Sequence, residues 1–261
     1  MRRRSGPVAV VLGTLVGWVV ASSWPALRAE TSSGEAVDPL AATTRMRAWA
    51  RSTVAGLGDE LDRLRALHRE LLGPGPHAIA ETTGPTPSAS EAFTGRRADC
   101  VGFALLLVSV ARGVGVEARF ALSPVVEEVV DRGSLRERRL HLAATFADRV
   151  FDLGGEAPLR PGPVQPIADR TAIALYHSNR GVQALTSGDA AGAVEPLWTA
   201  VRLDPSLQST WTNLGVALRR SGDPAGAILA HEMALRIDAE DEVACRNLEA
   251  ARLRGAPPDP R

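Results

Sequence analysis

The sequence predicts an α+β domain in which helices pack on an antiparallel sheet, followed by an all-α array of helical hairpins. Three observations lead there. The run from Asp99 to Phe120 reads as a helix and then a strand: Asp99 is a favoured N-cap, apolar side chains fill three turns, Gly113 and Gly115 stop the helix, and Val116, Ala118 and Phe120 alternate. His141 to Phe146 and Val150 to Asp152 read as a hairpin around Ala147, Asp148 and Arg149. From Ala172 onward a period of 34 residues returns Gly181 as Gly215, Gly188-Asp189 as Gly222-Asp223, Ala193 as Ala227 and Ala200 as Ala234.

In chain order, Met1-Arg2-Arg3-Arg4 precedes an apolar run from Pro7 to Val20 and the small residues Ala21-Ser22-Ser23, the pattern of an export signal. From Pro7 to Leu27 the run is also long enough to span a bilayer, so residues 1–29 are expected to be a signal peptide or an N-terminal membrane anchor. Three arginines before the run against Arg28 after it put residues 30–261 outside the cytoplasm, in the periplasm or cell envelope. Residues 30–76 read as a polar spacer and an amphipathic helical segment, with Met46, Trp49, Leu57, Leu61, Leu64, Leu67 and Leu71 at helical spacing; it is one helix or two broken near Gly56-Leu57-Gly58. His68 is expected on its solvated side.

Residues 77–154 form the expected core. Ser88 or Ser90 caps a short helix toward Phe93. The charged segment between Ser123-Pro124 and Arg139 is expected to be a loop over the sheet, either merely solvated or facing a substrate. If Ala147-Asp148 is a two-residue turn, Asp152 lies opposite Ala143 and His141 is its diagonal neighbour on the same face; an odd loop without a bulge would separate them. Residues 155–170, with Pro158, Pro161, Pro163 and Pro166, read as a linker, and residues 171–254 as two helical hairpins plus a capping helix. Two hairpins cannot bury a large core alone, so Ala172 to Leu197 is expected to dock on the preceding domain.

The chemistry centres on Cys100. A thiol in the first helical turn meets unpaired N–H groups and the positive end of the helix dipole, which favour the attacking thiolate, although the neighbouring Asp99 opposes this. With His141 and Asp152 downstream, the chain has a nucleophile, a base and an orienting carboxylate. Here the sequence resembles the transglutaminase-like superfamily of papain-like folds, from about Thr86 to Leu153, through Thr86-Pro87-Ser88-Ala89-Ser90-Glu91-Ala92-Phe93, Asp99-Cys100, the Arg112-to-Arg119 turn, His141 and Phe151-Asp152. Many members carry a Trp two residues after the histidine, where this chain has Ala143. The resemblance implies protein or peptide amide substrates, with cross-linking, deamidation and hydrolysis all open. The 34-residue repeat resembles tetratricopeptide (TPR) repeats, which implies a surface for a protein partner or a structural brace. A non-catalytic scaffold at the cell envelope is the second reading.

Composition narrows the partners. Formal net charge is zero, which argues against nucleic acid, and all 30 basic residues are arginine, so an enzyme joining glutamine to lysine could not use its own side-chain amines. No His, Cys and carboxylate cluster has ligand spacing, His177 and His231 included, so neither metal nor cofactor is expected. Cys100 and Cys245 fall in separate predicted domains and are not expected to pair; Cys245 reads as a buried helix residue.

Overall fold

A computed structural model describes residues 38–132, 135–158 and 164–255 of the chain; the segment expected to direct export or anchor it lies outside them. Among the described residues, no helix is long and apolar enough to cross a membrane. The amphipathic segment is two helices, α1 (Thr44–Thr53) and α2 (Glu60–Leu72), separated where Gly56 adopts a φ of 82°. Thr43 caps the first by accepting the Met46 N–H at 3.2 Å, and Asp59 caps the second by accepting the Asp62 N–H at 3.1 Å. Their apolar stripes bury Met46, Ala50, Leu64, Leu67 and Leu71 in the core. These two helices therefore pack into the core. A single continuous apolar cluster runs from Met46 to Ala172.

Next come β1 (Ala80–Glu81), α3 (Ala89–Gly95) and β2 (Arg97–Ala98), with β1 and β2 paired in parallel. Ser88 and Glu91 form the capping box of α3, and Arg96, at a φ of 55°, ends it. The central helix α4 (Cys100–Arg112) buries every residue from Val101 to Ala111. A helix apolar on all sides needs neighbours on all sides. Here α1, α2 and α3 and the sheet supply them. Burying a side chain such as Leu105, Leu106 or Leu107 contributes about 1.5–3 kcal/mol each, which makes α4 the element the domain depends on most.

The sheet adds β3 (Arg119–Arg132), β4 (Leu135–Phe146), β5 (Arg149–Asp152), β6 (Gly155–Pro158) and β7 (Gln165–Ile167), in the order β6-β5-β4-β3-β7 with antiparallel pairing throughout. Two sequence expectations are corrected. Residues 123–132 and 135–139 extend the β3–β4 hairpin, with a register shift between Ser123 and Glu128, instead of forming a loop; where the ladder pairs them, the backbone N–H and C=O groups are satisfied whatever the side chains. The expected linker, residues 155–170, carries both edge strands of the sheet. Edge positions tolerate proline because one side of the strand needs no donor, and Pro158 and Pro166 sit on them.

The array consists of α5 (Asp169–Thr186), α6 (Ala190–Leu203), α7 (Gln208–Arg220), α8 (Pro224–Ile237) and α9 (Glu242–Gly255). Asp189 caps α6 through the Gly192 N–H and Asp223 caps α8 through the Gly226 N–H, both at 2.8 Å. A Cβ on Gly181 would fall inside the Leu197 side chain, and one on Gly215 inside the His231 ring. The helices of each hairpin cross at these glycines. A second apolar cluster spans Leu185 to Ala244. Ala172, Leu175 and Tyr176 of α5 pack instead on the first cluster, so α5 belongs to both. Cys245, expected to be buried, is exposed, and neither cysteine is in a disulfide.

Candidate active site

Cys100 is the first residue of α4, placed there by the Asp99 cap, whose Oδ1 accepts the Gly102 N–H at 2.8 Å. Gly102 lets the helix start approach the loop before α3: a Cβ there would stand 2.6 Å from Pro87 Cγ and 2.9 Å from its carbonyl oxygen. His141 lies on β4 and Asp152 ends β5. Ala147-Asp148 forms the turn, Ala147 taking a φ of 51°, and Ala144 pairs with Phe151. This register puts His141 and Asp152 diagonally on one face.

His141 Nε2 and Asp152 Oδ2 are 2.8 Å apart, with the side chains 30% and 23% exposed. The Cys100 side chain also hydrogen-bonds the His141 ring, whose Nε2 is engaged by Asp152. The structure thus brings Cys100, His141 and Asp152 together. Hydrogen bonding to Asp152 first, and to Cys100 second, raises the His141 pKa from 6.5 to about 10 against the opposing effect of burial. Burial pushes the Asp152 carboxyl up, but the hydrogen bond and charge of His141 and the Gly154 N–H outweigh it, so its pKa is lowered. At neutral pH the pair is an imidazolium on a carboxylate.

Asp152 is itself held at two further points. Its Oδ1 accepts the Gly154 N–H at 2.7 Å, and its main-chain carbonyl accepts from His68 Nε2 at 2.8 Å. His68, expected in solvent, is 5% exposed, with the rings of Phe103 and Phe151 edge-on at 5.9 and 5.3 Å. Burial lowers its pKa, which keeps the ring neutral, and a carbonyl partner requires the proton on Nε2. The sequence did carry a sign of this: His68 follows Leu64 by four residues and Leu67 by one, on the stripe that α2 buries.

Behind Cys100, the buried Thr86 hydroxyl donates to Asp99 Oδ2. Burial raises the Asp99 pKa, against hydrogen bonds from Thr86, Gly102 and Asn179. The Thr86 N–H donates to Gln183 Oε1 at 2.9 Å, and Gln183 Nε2 donates to the Gly84 carbonyl at 3.0 Å. Nothing in the sequence connects Thr86 to α5, because the two are far apart along the chain.

Cys100 and His141 open onto a groove of about 1480 Å³ between core and array. Thr82, Gly84, Pro85 and Gly154 line it on the core side, and Gln183, Asn213 and Asp238 on the array side. A family model described as the Transglutaminase-like superfamily matches residues 47–148, so a transglutaminase-like domain occupies that stretch. The match contains Cys100 and His141 and stops short of Asp152. A comparison with curated proteins finds no match for the chain.

Proposed function

We propose that the protein is an exported thiol enzyme of the transglutaminase-like type, acting on protein or peptide amides through Cys100, His141 and Asp152. The observation that carries this reading is the imidazole of His141 held between the Cys100 thiol and the Asp152 carboxylate. With His141 protonated at rest, the sulfur attacks the amide carbon as thiolate, and the carbonyl π electrons move to oxygen. Collapse of that tetrahedral adduct breaks the C–N bond as the imidazolium gives its proton to the departing nitrogen. A thioester on Cys100 remains. The now neutral imidazole takes a proton from water or an amine, whose attack on the thioester releases product and restores thiolate and imidazolium. Water gives hydrolysis or deamidation, and an amine gives cross-linking.

The helical array, read as TPR-like repeats, would hold a protein chain in the groove that Gln183, Asn213 and Asp238 line. Export rests on the arginines and apolar run of residues 1–27, and fractionation of a tagged chain tests it: recovery in the cytosol with that segment intact and no membrane association removes it.

Alkylation tests the thiol reading directly. Cys245 is exposed and Cys100 only partly so, and accessibility alone would label Cys245 first. The expected result is the reverse: iodoacetamide near neutral pH modifies Cys100 well before Cys245, and His141→Ala abolishes the difference. Slow labelling of Cys100 at or below the rate of Cys245 favours the scaffold reading.

A further inference from the structure

The hydrogen bonds between α5 and the loop before α3 join the array to the start of the nucleophile helix. Thr86 stands between Pro85 and Pro87, where a following proline disfavours helical backbone, and is fully buried. Four contacts from three α5 side chains meet it. Gln183 Oε1 accepts its N–H at 2.9 Å, Gln183 Nε2 approaches its hydroxyl oxygen at 3.4 Å, Asn179 Nδ2 donates to that oxygen at 3.3 Å, and Arg180 Nη1 donates to its carbonyl at 3.4 Å. With its oxygen accepting from α5, the Thr86 hydroxyl proton points to Asp99 Oδ2. The other Asp99 oxygen takes the Gly102 N–H. Asn179 stands near enough to Asp99 to oppose the rise that burial causes in its pKa.

We propose that Gln183 and Asn179 of the array are positioning residues for Cys100, acting through Thr86 and Asp99. This rests on the reading of Cys100 as nucleophile and extends it. The carboxylate beside the thiol is desolvated and adjacent in sequence, and its charge opposes a neighbouring thiolate unless it is engaged elsewhere. Thr86, itself held by Gln183 and Asn179, engages one oxygen and the Gly102 N–H of the helix cap engages the other. The first turn of α4 is thereby fixed, and the sulfur with it. The array is then part of the machinery that orients the nucleophile, and a ligand that shifts α5 changes the reactivity of Cys100 without touching it.

The test uses the full chain carrying Gln183→Ala and Asn179→Ala together, with Cys245 as internal reference. The ratio of iodoacetamide rates at Cys100 and Cys245 should fall by about tenfold or more. Hydrogen exchange of the Gly102 amide should accelerate, while the Leu106 and Leu107 amides keep their protection. Gln183→Glu alone, which keeps an acceptor for the Thr86 N–H, should lose less than Gln183→Ala. Thr171→Ala, which removes an array hydrogen bond to Asp204 at 2.6 Å and does not touch Thr86, should change neither measurement. If the double variant does not fold, Thr86→Val should give the same loss in an intact domain and Thr86→Ser should restore it. An unchanged rate ratio with unchanged Gly102 exchange overturns the proposal, as does loss of protection along the whole of α4. If the unmodified protein labels Cys100 no faster than Cys245, the thiol-enzyme reading fails, and Gly102 exchange still decides whether α5 fixes the helix start.

Discussion

Each oxygen of Asp152 has a different partner, Gly154 N–H, the His141 ring and the Nε2–H of His68, so the position of the imidazole is set from three directions. Asp152→Asn keeps the shape and removes the charge. The His141 pKa should then fall from about 10 toward its ordinary 6.5, since hydrogen bonding to Asp152 is the largest cause of its rise. The imidazolium that protonates the departing nitrogen is lost on the alkaline side. In the pH profile of amide turnover the alkaline limb should therefore move down by units, with kcat lower by about 10²–10⁴-fold. The same pair contributes to folding. A histidine whose pKa is raised in the folded state stabilises fully below its unfolded value of 6.5, and that stabilisation disappears as pH rises to about 10. The lowered carboxyl of Asp152 contributes above its unfolded value and loses that contribution in acid. Urea titrations of the Asn variant should thus differ most from those of the parent between pH 3.8 and 6.5, where both contributions are complete. An unmoved alkaline limb would show that Asp152 does not govern His141.

Among the elements, α4 and α8 each depend on one close approach. Gly102→Ala pushes a methyl group against Pro87, a rigid ring and its backbone, at a cost of about 1–3 kcal/mol, and displaces the loop that holds Thr86. Chemical denaturation and Cys100 alkylation should both register the change, alkylation more strongly than stability. In α8, His231 occupies the place that Leu197 has one 34-residue period earlier, pressed on Gly215 as Leu197 is on Gly181. It is fully buried, and neither ring nitrogen has a hydrogen-bond partner among the described residues. Burial lowers its pKa to about 4. The unfolded chain then binds a proton that the folded chain refuses, so stability is complete above 6.5 and falls as pH drops toward 4, by on the order of 3 kcal/mol. His231→Leu should stabilise the array and flatten its acid melting curve between those values. An equal acid response in the variant and the parent would exclude His231 as its source.

At the scale of the whole molecule, the groove is built from two packing units that share α5. Removing residues 206–261 takes away α7, α8 and α9 but leaves Asn179 and Gln183 in place. Alkylation of Cys100 should survive that truncation, while action on a protein substrate should fall more than action on a small amide, as measured by kcat/KM on both. Unfolding of the entire chain would instead make the later helices a brace. A charged contact that ties α4 to α5 on the far side, Arg112 with Asp169 at 2.5 and 3.0 Å, is partly exposed and adds little beyond orientation.

Local rules written in the sequence were sufficient for the start of α4 and the glycine crossings of the array, and they narrowed the β4–β5 turn to two alternatives between which the structure decides. A cap residue, a two-residue turn and a 34-residue period act within a few residues or repeat one local unit. Cys100, His141 and Asp152 were named from their residue types and order and from the family resemblance, and strand register stated only the turn length at which the last two would share a face. The edge strands β6 and β7 and the hairpin extension at 123–132 and 135–139 were decided by neighbours, because a proline-rich or charged segment becomes a strand only where a ladder waits for it. His68 under Asp152 and Gln183 on Thr86 depend on packing between α2 and the sheet and between α5 and α4. Contacts between residues so far apart in the chain leave no local trace, and only the tertiary structure places them.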